Sequence, residues 1–94
     1  MFLLYADLNS DDMSEVLDRF WNYRAKWRVI GIELGIDIGT LDAIDVKHRN
    51  TEDCLADLIG CWLRGNNPRP TRSTLTMVLQ SKHVTGGSTS VQGV

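Results

Sequence analysis

The residues of this 94-residue chain that could do metal or redox chemistry are two cysteines and two histidines. Cys54 and Cys61 lie seven apart in a segment with helical periodicity, which would place their α-carbons about 10 Å apart at 1.5 Å per residue. A disulfide needs α-carbons within about 7 Å, so these thiols cannot pair with each other. His48 and His83 lie at no spacing typical of zinc ligands. We expect two buried, inert thiols, no metal and no cofactor.

Three carboxylates could be imagined as an acid–base site: Asp37, Asp42 and Asp45. No histidine, cysteine or serine nucleophile is positioned with them, and nothing suggests the apolar pocket that raises the pKa of a carboxyl group. A solvated acidic face is therefore favoured, and we predict that the protein is not an enzyme. His48 follows Leu41 by seven residues, which favours a half-buried ring on the same helical face over a pH-sensitive contact.

Three glycines are spaced four residues apart, at Gly31, Gly35 and Gly39. A phosphate-binding loop needs its glycines within one strand-to-helix turn. A glycine face for pairing membrane helices needs an uncharged stretch, whereas Glu33 and Asp37 intervene here. We predict close packing at Gly31, a left-handed helix end at Gly35 and a turn at Gly39. The three tryptophans lie on apolar stripes, which favours core positions over stacking on a ligand.

The elements that carry these residues have helical periodicity throughout, and the pattern predicts five helices. The first is capped by Asn9 or Ser10, the third starts at about Thr40, and the fourth is capped by Asn50 or Thr51. The apolar stripe of the first helix is Met13, Val16, Leu17, Phe20 and Trp21. The predicted core from the later helices is Trp27, Ile30, Leu34, Leu41, Ile44, Leu55, Leu58, Ile59, Trp62, Leu75 and Leu79.

Length and composition indicate one globular domain, with 43% hydrophobic and 23% charged residues. We divide the chain into a lead-in (1–6), a helical domain (7–81) and a Gly/Ser/Thr-rich tail (82–94) that we expect to be mostly disordered. The longest apolar run, Phe2 to Ala6, is too short for a signal peptide or a membrane span. We therefore expect a cytoplasmic protein.

The charges are unevenly distributed along the chain. The net charge of −2 and pI near 5.5 provide no electrostatic footprint for nucleic acid or an anionic membrane. All acidic residues lie at or before Asp57, whereas every charged residue from Arg64 onward is basic. Opposite faces of this kind predict protein-interaction residues, although a merely solvated surface is an equal alternative. The candidate interaction residues are Asp42, Asp45, Lys47, Arg49, Arg64, Arg69 and Arg72.

The order of these features resembles the death-domain superfamily of helical bundles. The run 26–36, KWRVIGIELGI, is similar to the family's W-x-x-L-G-x-x-L-G-L run. The similarity continues with Leu41-x-x-Ile44, then Cys54-Leu55 and Trp62-Leu63, and then Thr71 with Leu75 and Leu79, so that it covers about residues 7–81. Two features depart from the family: Arg72 stands where a tryptophan usually follows the threonine, and a glycine-rich tail follows Ser81 where a sixth helix is expected.

The resemblance implies an all-α antiparallel helical bundle of five helices with the sixth absent or truncated. It also implies a non-catalytic adaptor for signal transduction in apoptosis or innate immunity, binding other death-domain proteins and possibly itself through heterologous contacts. The alternative is a helix-turn-helix nucleic-acid-binding domain, since short helices joined by tight turns also describe that fold. The acidic net charge argues against nucleic acid as a partner.

Overall fold

A computed structural model describes residues 7–65 and 69–85, and every regular element in these ranges is helical. The predicted lead-in (1–6) and the tail beyond residue 85 lie outside the described residues. The prediction of an all-α fold is confirmed. The α-helices are α1 (Met13–Phe20), α2 (Trp27–Leu34), α3 (Ile38–Lys47), α4 (Thr51–Arg64), α5 (Arg72–Leu79) and α6 (Lys82–Thr85). None of the helices within the described ranges has both the length and the apolar character to cross a membrane.

The first helical segment starts with a reciprocal cap. The Asn9 side chain accepts a hydrogen bond from the Asp11 N–H (2.8 Å), and the Asp12 carboxylate accepts one from the Asn9 N–H (2.9 Å). These bonds satisfy backbone donors that a helix start leaves without partners. A 3-10 turn, Ser10–Asp12, leads into α1, which buries Val16 and Phe20 completely.

The prediction that Trp21 belongs to the core is wrong. The chain changes from α-helix to a 3-10 segment, Trp21–Lys26, at this residue. A 3-10 helix has 3.0 residues per turn instead of 3.6, so the α-helical stripe does not continue through it. The Trp21 side chain is 37% exposed, and the Arg24 guanidinium stacks on its ring at 4.8 Å.

Both glycine predictions for α2 are confirmed. Gly35 ends the helix with φ +89°, a left-handed conformation that costs glycine little. Gly31 is buried, and a β-carbon there would lie 2.5 Å from Leu41 Cδ2 and 3.0 Å from Leu58 Cδ1. The missing side chain thus lets α2 approach α3 and α4 closely.

Helix α3 begins at Ile38, two residues before the predicted start, and Gly39 lies inside it instead of in a turn. Asp37 is the reason, because its carboxylate accepts hydrogen bonds from the N–H (3.1 Å) and the hydroxyl (2.8 Å) of Thr40. These bonds cap the helix and lower the pKa of Asp37.

Helix α4 is the central element and packs against α1, α2 and α3. It is capped by Asn50, whose side chain accepts from the Asp53 N–H, and it is the longest helix described. Of the predicted core, Leu79 is only partly buried, and the other positions are buried, namely Trp27, Ile30, Leu34, Leu41, Ile44, Leu55, Leu58, Ile59, Trp62 and Leu75.

The chain remains helical beyond the predicted end of the domain. The single turn α6 is formed by Lys82–Thr85, the first residues of the predicted tail. Val84 is 1% exposed in this turn, which packs against α2 and α5. Burial of the Val84 side chain holds this turn against the domain. A single turn of four residues is too short for a helical apolar pattern to show in the sequence. At the other end, the Leu8 N–H donates to the Pro70 carbonyl (2.9 Å), which ties the start of the domain to the start of α5.

Candidate protein-interaction surfaces

The predicted acidic residues Asp42 and Asp45 lie on the exposed side of α3, where an arginine joins them. The Arg28 guanidinium of α2 donates to Asp42 Oδ1 at 2.6 Å and lies 3.7 Å from Asp45 Oδ2. It also lies over the Trp27 ring at 5.4 Å, which fixes the direction of the side chain. The sequence gives no local signal for Arg28 at this surface, because the aspartates with which it pairs lie in a different helix.

Three exposed aliphatic side chains accompany these charges. Ile32, Ile38 and Val46 are 55%, 57% and 88% exposed, respectively. On α3, residues 38, 42, 45 and 46 fall within about 100° of the helix circumference at 3.6 residues per turn. On α2, Ile32 lies one turn after Arg28 on the same side. We call the surface formed by Arg28, Ile32, Ile38, Asp42, Asp45 and Val46 the α2–α3 face.

A groove of about 280 Å³ lies elsewhere on the domain, between the start of α1 and α4. We call it the α1–α4 groove, and it is lined by Ser10, Met13, Ala56, Asp57, Gly60, Leu63 and Arg64. Its α4 residues recur at i, i+1, i+4, i+7 and i+8, so they form one stripe along the helix. The small residues Ala56 and Gly60 at the centre of that stripe are the sequence signal that could have revealed the groove.

The side chain of Arg64 extends toward Gly60, one turn earlier on the same stripe of α4. A β-carbon at Gly60 would come 3.1 Å from Arg64 Nη1, so the glycine leaves the space that the guanidinium occupies. Arg64 Nη2 is 3.7 Å from the Cys61 sulfur, and no ion pair to Arg64 forms among residues 7–65 and 69–85. The groove therefore holds a cation that a carboxylate of another molecule could reach.

Asp57, which is negatively charged, has three polar neighbours at the edge of the groove. Its Oδ2 lies 2.8 Å from His48 Nε2 and 3.4 Å from Lys47 Nζ, and the Cys61 thiol lies 3.7 Å from Oδ1. The hydrogen bond with His48 lowers the pKa of the Asp57 carboxyl group, which is only 18% exposed. As predicted, the His48 ring is half-buried.

The predicted basic residues are divided by the structure. Arg69 pairs with Asp7 at 2.8 Å, and Arg72 holds Glu15 through two hydrogen bonds of 2.7 and 2.9 Å. The Arg72 hydrogen bond lowers the pKa of Glu15. Both arginines therefore bind the first part of their own chain, and Arg64 alone of the three lines the groove. Arg49 is exposed at the α3–α4 turn.

The two thiols differ in position but are both free. Cys54 is buried and Cys61 is partly buried. Burial raises the pKa of both thiols, so they stay protonated near neutral pH. Cys61 and His48 bond to separate oxygens of Asp57 instead of to each other. This arrangement fixes side chains but does not activate a nucleophile.

No protein-family model matches the chain, and neither a curated protein nor a solved structure matches it. Its function is therefore inferred from the two surfaces described above.

Proposed function

We propose that the protein is a non-catalytic interaction module that assembles head to tail with domains of its own kind, a second copy of this chain among them. In this proposal it acts as an adaptor of death-domain type, in keeping with the resemblance in residues 7–81. The observation that carries the proposal is the α2–α3 face, where three exposed aliphatic side chains lie on the same sides of their helices as an arginine–aspartate cluster.

The composition of the α2–α3 face suits a protein partner. Single exposed aliphatic residues are common on any protein, but a group on one face bounded by charges is typical of an interaction site. The aliphatic groups exclude water from the contact, while the rim charges select the partner and steer its approach. With one arginine against two aspartates, the face carries an excess negative charge. It should therefore bind a surface that is apolar and cationic.

The α1–α4 groove of a second copy has those properties. Met13 and Leu63 provide apolar walls, and Arg64 provides a cation at the end of the groove. Val46 and Asp45 are adjacent in sequence, so one could enter the groove while the other meets Arg64. Because the face and the groove are different surfaces, each copy can use both at once. Such a heterologous contact builds rings or open helical chains instead of a closed two-fold dimer.

The first test uses one variant for each surface. Val46→Lys places a cation in the α2–α3 face, where it would repel Arg64. Gly60→Leu fills the groove, and it should leave the fold intact because leucine forms helix better than glycine and the nearest atoms belong to the end of a flexible arginine. Met77→Lys is the matched control, because Met77 is also an exposed apolar residue (66%) but lies on α5.

Sedimentation equilibrium at low salt should show assemblies for the parent chain and for Met77→Lys. Each surface variant alone should be monomeric. An equal mixture of Val46→Lys and Gly60→Leu should form only 1:1 dimers, because one intact face and one intact groove remain. The parent's assembly should also weaken with added salt. A parent chain that stays monomeric up to about 1 mM, a concentration that detects binding of only about −4 kcal/mol, would refute self-assembly. Surface variants that assemble like the parent would show that these surfaces are merely solvated.

A further inference from the structure

The side of the domain that carries the α1–α4 groove continues beyond the groove toward the end of α1. The two helices run in opposite directions, because Met13 at the start of α1 lines the groove together with Arg64 at the end of α4. The segment after α1 instead reaches the start of α4, through an ion pair of 3.2 Å between Arg24 and Glu52. Glu52 lies one turn before Ala56 on the same side of α4. At 1.5 Å per residue, this side of α4 extends over about 18 Å from Glu52 to the end of the helix.

Trp21 lies at the far end of this side. Its side chain is 37% exposed, and the guanidinium of Arg24 stacks on its ring at 4.8 Å. Arg24 is itself held in place, because it donates to the Trp21 carbonyl oxygen at 2.8 Å and to the Glu52 carboxylate at 3.2 Å. The ring therefore has little conformational freedom left to lose on binding. A large aromatic side chain that is fixed and partly exposed is typical of the residues that dominate protein interfaces.

We propose that Trp21 is a specificity-determining residue of the head-to-tail contact, in which its ring packs against Ile38 of the next copy. This inference rests on the proposed function, because it extends the same contact. Glu52 balances the charge of Arg24 beside the ring, so this end of the surface matches an uncharged side chain. Ile38 is such a side chain, and it is 57% exposed on the α2–α3 face.

The spacing of the two surfaces agrees with this pairing. Trp21 follows Met13 by eight residues, which corresponds to about 12 Å along a helix. Ile38 precedes Val46 by the same number of residues, and both lie on the same side of α3. When Val46 enters the groove beside Met13, Ile38 can therefore reach Trp21 at the other end.

The experiment uses the two variants that should assemble only as a 1:1 pair. In that pair Val46→Lys provides the groove and Gly60→Leu provides the α2–α3 face, so a further substitution can be placed on either side of one contact. Trp21→Ala on the Val46→Lys copy should raise the dissociation constant, measured by isothermal titration calorimetry, about tenfold or more. On the Gly60→Leu copy it should leave the constant unchanged, because the groove of that copy is not used. The second placement is the matched control, and it would also reveal a general loss of folding.

Ile38→Ala should show the opposite dependence on placement. On the Gly60→Leu copy it should raise the dissociation constant about threefold or more, and on the Val46→Lys copy it should have no effect. The variant should keep its fold, since Ile38 is exposed and alanine is a good helix former. With Trp21→Ala and Ile38→Ala each in its sensitive copy, the combined loss should be smaller than the product of the single losses, because both remove the same contact.

Each result decides for or against the pairing. If Trp21→Ala weakens binding from both copies, Trp21 acts through the fold and the inference is refuted. It is also refuted if neither copy responds or if the two single losses multiply, while head-to-tail assembly stands. If Val46→Lys and Gly60→Leu do not bind each other at all, the proposed function fails and the pairing fails with it.

Discussion

Replacing Gly31 by alanine should destabilise the domain, although alanine is the better helix former. In the interior of α2 the exchange would by itself favour the helix by about 1 kcal/mol. The new methyl group, however, would lie 2.5 Å from Leu41 Cδ2 and 3.0 Å from Leu58 Cδ1. Both leucines are fully buried, so neither side chain has open space to move into.

Overpacking a core typically costs about 1–3 kcal/mol. Because two side chains must shift here, we expect a cost near the upper end, about 3 kcal/mol, and a net loss of about 2 kcal/mol. For a domain of this length that corresponds to a fall in melting temperature of about 8–16 °C. Urea unfolding followed by circular dichroism would measure the free energy directly.

Gly60→Ala is the matched control within α4. The new β-carbon would lie 3.1 Å from Arg64 Nη1, the mobile end of an exposed side chain, which can move aside. The helix preference of alanine should then dominate, and the variant should gain up to about 1 kcal/mol. The two substitutions should thus have opposite signs. If Gly31→Ala is as stable as the parent, the close approach of α2 to α3 and α4 is not as described.

Three further predictions concern the core, the last turn and the response to acid. Trp62→Ala should lower the free energy of unfolding in urea by about 3–5 kcal/mol. Trp62→Phe should lower it by about 1.5 kcal/mol or less, because the buried indole N–H has no hydrogen-bond partner among the described residues. Equal losses for the two variants would contradict this. Val84→Ala should cost about 1.5–2.5 kcal/mol by the same measurement, and a negligible loss would show that α6 is not packed as described. Asp57 should contribute stability above about pH 4 that is lost as the pH falls through its lowered folded pKa. Unfolding midpoints measured down to about pH 2 should therefore decline more steeply for the parent than for Asp57→Asn, and parallel curves would contradict the His48–Asp57 pair.

Local patterns were sufficient for most of the helices. Apolar spacing together with the caps at Asn9 and Asn50 predicted the first and fourth helices, because these signals act within a single turn. The predicted start of α3 is two residues late, because the capping role of Asp37 depends on its hydrogen bonds to Thr40 and the sequence pattern indicates only a surface carboxylate there. The position of Trp21 was wrong because a change of helix type leaves no clear trace in apolar spacing.

The interaction surfaces were less predictable than the helices. The sequence alone determined that Asp42 and Asp45 would be exposed and that Gly31 would permit close packing, since both follow from positions around one helix. It could not determine which charges would be used within the molecule. Arg72 binds Glu15 across 57 residues of chain, and Arg69 binds Asp7 across 62. Ion pairs between residues so far apart in sequence depend on which segments become neighbours in the fold. Only the tertiary structure therefore shows that Arg69 and Arg72 pair within the molecule while Arg64 lines the groove.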